Sequence, residues 1–410
     1  MSDSYLLYQK YQKIGQTGNW IPVYPMEYSY NADGTMMPVV KTQNDPACGT
    51  GAIYQWVETD RYECVESDFS QDYLTLGILS AGTVEMNSTY TISASTDDGT
   101  TWFEVNSAFN VSVGDKVLLK GENSGYIEQL LSASTAYFDV YGNINSLVSG
   151  DSFTSVTESK QYTSLFRRAN VVSAENLILP ATTLTDSCYA NMFYGCTRLT
   201  TAPELPATTL AQGCYLQMFY GCTSLTTAPA LPATTLANYC YAAMFSGCTS
   251  LTTATALPAT TLATSCYRAM FFGCTSLTTA PELLATTMAT SAYTNMFQDC
   301  VNLTTAPELP ATTLATDCYT YMFRGCLSLT TAPDLNVPTL VDSCYYGIFY
   351  DCRSLNYIKC LATNISANEC TLFMTYNVGS TGTFVKNSSM SNWTTGINGI
   401  PSGWTVQNAS

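Results

Sequence analysis

From residue 177 to about 376 the apolar positions of the chain return at one fixed interval. Leu179, Leu205, Leu231, Leu257, Leu283, Leu309, Leu335 and Leu361 are each separated by 26 residues. Other columns keep that step: Phe193 through Phe349, Leu199 through Leu355, Cys196 through Cys352, and Cys188 through Cys370 with Ala292 in place of one cysteine. Each unit divides into two halves. Across Asp317–Cys326 the apolar positions fall at i, i+4, i+5 and i+8, on one helical face; Asp317 stands where an N-cap belongs and Gly325 where a helix stops. This predicts one or two helical turns per unit. The segment from Leu329 to Leu335 is Thr-rich and extended, predicting a short strand that pairs with its equivalents, with Pro206 and Pro232 placed after the strand. One unit cannot bury its own Leu, Phe and Cys face, so stacked neighbours must supply the core. The expectation is a solenoid of 26-residue coils with short strands and short helices, about 40 Å long on the strand side at about 4.8 Å per strand. A degenerate copy from Ser164 to Ala174 precedes the first full unit as an N-terminal cap.

The unit reads Cys-Tyr-x-x-Met-Phe-x-Gly-Cys-Thr-Ser-Leu-Thr-x-x-Pro-x-Leu-Pro. It resembles the leucine-rich repeats of the BspA type, whose units carry A-F-x-x-C-x-x-L-x-x-I-x-I-P. The unit here is longer, and Met-Phe stands where the family has Ala-Phe; both departures bear on coil shape. The closing segment from Leu355 through Phe384 to Trp404 is similar to endings found on such proteins in gut Bacteroides and their phages. The opening, Tyr8-Gln-Lys-Tyr11 with Trp20-Ile-Pro-Val-Tyr-Pro25, resembles N-terminal segments of phage structural proteins from gut Bacteroidales.

Ahead of the repeats, residues 1–66 are rich in Tyr, Trp and Pro and read as short β segments with loops, an N-terminal docking segment. Residues 67–157 read as a β-sandwich-like domain. Tyr90–Ser95 and Thr101–Val105 form a hairpin around Asp97-Asp98-Gly99. Ser95 to Trp102 also resembles the Asp-box of sialidase-type propellers. A propeller needs several copies and this chain has one, so the bland alternative is that Asp97 ties the turn and Trp102 packs beneath it. The repeats occupy 158–376, and 377–410 form a C-terminal cap. The whole is a mixed, multi-domain chain with β-rich N-terminal modules.

Composition narrows the chemistry. The chain has no histidine, which removes Ser-His-Asp and Cys-His catalysis and every zinc site that needs imidazole. No Gly-rich phosphate loop or persuasive carboxylate pair appears, so neither an enzyme nor a cofactor is expected. A net charge of −16 disfavours binding to nucleic acid and to anionic membranes. The first residues have no apolar h-region and no run approaches the length of a membrane span, so neither export through a signal peptide nor membrane insertion is expected. The cysteines permit three readings: buried thiols, a disulfide ladder or thiolate–metal sites. No C-x-x-C occurs and Ala292 replaces a cysteine whose would-be partner Cys300 remains, which favours buried thiols and no metal.

The resemblances imply a phage virion protein, a tail or head fibre or other surface appendage. Its N-terminal region would dock to other virion proteins and its repeats to a host cell-surface glycan or protein. It would be made in the host cytoplasm, reside on the virion surface and assemble as a homo-oligomer. The alternative is a BspA-like adhesin on a bacterial cell surface, binding host matrix proteins. Positions that vary among near-identical coils should face solvent: Leu216-Gln217-Tyr220, Ala242-Ala243-Ser246, Arg268-Ala269-Phe272, Thr294-Asn295-Gln298, Thr320-Tyr321-Arg324 and Tyr346-Gly347-Tyr350. Within this stripe Phe272, Tyr321, Arg324 and Tyr350 are the candidate ligand-binding residues, since exposed aromatics and arginines are common recognition anchors. Tolerant surface positions would look the same.

Overall fold

The computed structural model describes residues 72–123, 127–153, 159–391 and 393–409, together with five strands before them. Those strands are β1 (Tyr5–Leu7), β2 (Met26–Tyr30), β3 (Met36–Val40), β4 (Ala52–Val57) and β5 (Arg61–Glu66). They pair antiparallel as a three-stranded sheet, β1-β2-β3, and a β4–β5 hairpin. The Trp20–Pro25 motif lies outside the described residues.

Next come β6 (Leu74–Ile78), β7 (Gly82–Val84), β8 (Ile92–Ser95), β9 (Phe103–Glu104), β10 (Phe109–Val111), β11 (Lys116–Gly121) and β12 (Phe138–Asn143). Where a two-sheet sandwich was expected, the strands form one six-stranded sheet, β13-β12-β6-β11-β8-β9, and a separate β7–β10 ribbon. The sheet's end strand β13 (Leu177–Ile178) belongs to the repeats and pairs parallel with β12, Gly142 opposite Leu177. The sheet therefore runs directly into the first coil. The hairpin around Asp97 forms as β8–β9. The Asp97 carboxylate accepts from the Thr101 amide at 2.8 Å, the Thr101 hydroxyl at 2.6 Å and the Ser95 hydroxyl at 2.8 Å. Those bonds, Thr101's first, hold its pKa down at about 2. Trp102 Nε1 donates to the Gly99 carbonyl at 3.1 Å, so here the Asp-box motif locks a turn.

The predicted helices of the repeats are absent. In their place each coil carries a run of tight turns. A left-handed residue recurs every fourth position: Asp317 at φ 57°, Tyr321 at 52° and Gly325 at 72°. Between them the amides alternate. Those of Cys318, Thr320, Met322, Arg324 and Cys326 donate to the carbonyl three residues back, closing β-turns. Those of Asp317, Tyr319, Tyr321, Phe323 and Gly325 donate to Asp342, Cys344, Tyr346, Ile348 and Tyr350 of the next coil. A helix would consume all these donors internally; the turn run spends half of them on the neighbour. Ser, Asn, Asp and Gly fill many left-handed positions because small polar residues and glycine tolerate that region best. Asp317 is therefore one of these residues rather than a helix cap, and Gly325 is another rather than a helix stop.

The expected strand half is also pared down. Most of it consists of single parallel bridges, such as Thr227 with Thr253 and Thr279 with Thr305, each one coil apart. Prolines at Pro203 and Pro206, and their equivalents, remove the donors a continuous ladder needs. Threonine hydroxyls act in their stead: Thr200, Thr252 and Thr304 each donate to a carbonyl of the preceding coil. The exposed Thr-Thr pairs are thus partly accounted for by backbone satisfaction.

Inside, each column becomes a ladder. Phe166 through Phe349 stack face to face with centroids 5.2 to 6.0 Å apart. Tyr162 through Tyr345 form a second stack whose spacing ends at 6.0 Å. The first members of both stacks, Tyr162 and Phe166, show that the degenerate copy is a full coil; its left-handed residues are Lys160, Ser164 and Arg168. The repeat cysteines are buried and free. One column donates its thiols to phenylalanine carbonyls of the coil before, as Cys222 does to Phe193 at 3.1 Å. Carbonyls of the first coil, at Gln161, Ser164 and Leu165, accept from Ile127, Gln129 and Leu130. At the other end β14 (Tyr357–Cys360), β15 (Thr383–Lys386) and β16 (Thr405–Asn408) form a parallel sheet, with Trp393 and Trp404 buried beside it. No helix among the described residues is long and apolar enough to cross a membrane.

Candidate functional site

The turn runs stack into one continuous surface. Because alternate pairs of side chains in each run point into the core, the remaining pairs point outward, and these are the residues that vary. The structure places Phe272, Tyr321, Arg324 and Tyr350 on this face, all partly exposed. Other members of the variable stripe are buried, Ser246, Thr294 and Gln298 among them.

Three of the four candidates come together. The Arg324 guanidinium lies 5.1 Å from the centroid of Tyr321 and 4.9 Å from that of Tyr350. Tyr321 meets Tyr346 edge to face at 5.1 Å, and Tyr350 stacks on Tyr376 at 4.5 Å. Phe373 packs edge-on against Tyr346, Tyr350 and Tyr376. Tyr321 can take this position because residue 347 is glycine: any Cβ there would collide with the Tyr321 ring. Partial burial, and after it the neighbouring Tyr346, push the Tyr321 hydroxyl up to about 12, against the opposing pull of Arg324. The result is a cation held between two rings, with further rings extending toward the C-terminal cap. Such geometry fixes the donors of Arg324 in advance of any ligand.

Phe272 is not part of that cluster. It borders a separate depression of about 410 Å3 two coils earlier, which also takes in Leu216, Gln217, Tyr239, Arg268 and Asn295. Small side chains contribute to its lining, where Ala242, Ala243 and Ala269 stand among the larger residues. At the first coils the face is again aromatic. Tyr194 stacks on Tyr220 at 4.7 Å, and Arg167 lies 4.6 Å from the Tyr194 ring. Phe373, Tyr376 and Tyr239 escaped the sequence reading. Phe373 and Tyr376 lie in the last, divergent coil, and Tyr239 sits at the left-handed position that the helical assignment treated as a cap.

Among the described residues no group of histidine, cysteine and carboxylate side chains is placed to hold a metal ion. The thiols are held protonated. Burial raises Cys196, Cys248 and Cys266 from an ordinary value of 9.0 to about 12. They are poor nucleophiles and poor metal ligands in this setting.

Comparison with known families agrees with the repeat geometry. The model of the BspA type Leucine rich repeat region matches residues 162–304 and 290–392, with six copies. The matched residues cover more than half of the chain, and the chain belongs to this family. No curated protein and no solved structure matches it. Membership in this family suggests a surface or adhesion-type protein.

Proposed function

We propose that the protein is an adhesive binding protein, not an enzyme, in which a repeat solenoid presents the turn face to a glycan or protein on a host cell surface. The observation that carries this reading is the Tyr321–Arg324–Tyr350 cluster. It places a preoriented cation and several rings on a face where near-identical coils differ. In its finer form the reading makes the chain a virion appendage of a phage infecting gut Bacteroidales. Residues 1–66 dock to other virion proteins and copies of the chain assemble as a homo-oligomer. The likeness of the N-terminal segment to phage structural proteins supports that form.

Two measurements test it. Fluorescently labelled full-length protein should adhere to gut Bacteroidales cells. Joint replacement of Phe272, Tyr321, Arg324 and Tyr350 by alanine should lower adhesion at least tenfold; unchanged adhesion defeats the assignment of the face. Immunogold labelling of a lysed culture should decorate phage particles, whereas label confined to bacterial envelopes would replace the virion with a bacterial surface adhesin.

A further inference from the structure

Arg268 is, with Arg168, one of two repeat arginines that have neither an ion pair nor a ring contact among the described residues. Arg167 and Arg324 lie over rings, and Arg198 lies over Tyr137 at 4.0 Å while its guanidinium donates to that residue's hydroxyl. Arg353 pairs with Asp351 at 3.4 Å. The Arg268 side chain makes no ion pair and no ring contact among the described residues, although acidic residues outnumber basic ones 31 to 15 in this chain. It borders the depression of about 410 Å3, whose lining contains no carboxylate. A lining with one guanidinium, three alanines and no carboxylate suits an anionic ligand.

The rest of the lining narrows the anion's body. Phe272 and Tyr239 supply ring surface, and Tyr239 is 38% exposed. Gln217 and Asn295 supply amides; the Asn295 Nδ2 is already engaged by Gln298, which leaves its carbonyl oxygen to accept from a ligand hydroxyl. The backbone beneath offers nothing. Every amide from Tyr239 to Cys248 is bonded within its own coil or to the next one, so no extended peptide can add a strand here. The volume falls within the range of small-molecule sites. Small apolar side chains, rings, amides for hydroxyls and one cation match a pyranose carrying a carboxylate.

We propose that this depression is a subsite for an acidic sugar, a uronate or sialate residue, with Arg268 pairing the carboxylate and Phe272 packing against the apolar face of the ring. The proposal rests on the adhesive reading of the turn face and specifies its ligand chemistry. It is tested by calorimetric titration of the full-length protein with glucuronic acid and N-acetylneuraminic acid, using glucose and glutamate as controls. Saturable binding of an acidic sugar is expected, weakened at least tenfold by Arg268→Gln and by Phe272→Ala but not by Arg353→Gln, an exposed arginine away from the depression. Because Arg268 is exposed, R268Q should leave the melting temperature unchanged, which separates lost binding from lost folding. Three results overturn the proposal: no saturable binding of either acid, equal binding of glucose, or equal binding of glutamate. Cell adhesion measured in parallel keeps the two readings apart. Adhesion without acidic-sugar binding overturns only the subsite, while acidic-sugar binding without adhesion overturns the adhesive function.

Discussion

At the scale of single residues, the left-handed positions make the sharpest demands. Gly221 and Gly273 occupy them with nothing closer than 3.9 Å to an added Cβ, so alanine there meets only backbone strain. Gly221→Ala is expected to cost about 1 kcal/mol in chemical denaturation. Gly347→Ala adds a collision with the Tyr321 ring, and should therefore lose more stability and also disturb the Arg324 cluster, read as a change in tyrosine fluorescence. The thiols set a pH limit. The folded chain keeps protons on cysteines such as Cys196 and Cys248, pushed up to about 12, whereas the unfolded chain releases them from the ordinary 9.0 upward. The folded state thus binds more protons above that point, and stability falls as pH rises from 9.0 toward 12. Urea melts at about pH 8 and about pH 10 should show a lower midpoint at the higher pH; equal midpoints would mean that the thiols are already exposed.

At the scale of the element, the unit of stability is the coil together with its neighbour. Phe219 is fully buried between Phe193 and Phe245, stacked at 5.6 Å on each. Phe219→Ala is expected to cost about 3–5 kcal/mol, since the rings above and below cannot collapse into the gap without breaking coil register. Deletion of residues 203–228, one whole repeat, should leave a folded protein with a modestly lower melting temperature, because Ala202 then joins Pro229 as Ala228 does now. Deletion of one residue fewer leaves one coil a residue too long and should lower the melting temperature further. This scale also shows what was legible in the sequence. The columns were, because a fixed period assigns Phe193, Cys196 and Leu199 to one interior whatever the backbone does between them. The local backbone was not: spacing at i, i+4, i+5 and i+8 fits a helix of 3.6 residues per turn and a turn run repeating every four almost equally well. The deciding signal, a small polar or glycine residue every fourth position at Ser187, Asn191 and Gly195, was present, but in the equivalent coil Asp317 was read as a cap and Gly325 as a stop.

For the whole molecule, the binding face was legible as a stripe and not as an arrangement. Variation among coils pointed to Tyr321, Arg324 and Tyr350, and they do meet. Nothing in the spacing showed that Gly347 clears the room for Tyr321, or that Ala242, Ala243 and Ala269 line a depression together with Phe272. Contact between these groups crosses coils, and depends on side-chain volumes in two or three repeats at once. The six-stranded sheet ahead of the repeats also has a role that its sequence did not disclose. Through β13 and the amides of Ile127, Gln129 and Leu130 it closes the open carbonyls of the first coil.

Along the turn face every backbone hydrogen bond between coils is donated in the same sense, as Tyr215 to Cys240, Tyr241 to Cys266 and Tyr319 to Cys344. The amide dipoles therefore align head to tail over the length of the stack, like those of a helix but running from coil to coil. The carbonyl end of these dipoles lies at the first coil, where Gln161, Ser164 and Leu165 accept from Ile127, Gln129 and Leu130. Amides are left at the C-terminal end, where Phe373 donates to the Asn398 side chain and Thr375 to the Ile397 carbonyl. The field of these dipoles is negative at the sheet and positive toward the Tyr321–Tyr376 cluster, so the backbone of the repeats adds to the positive potential around the Arg324 guanidinium.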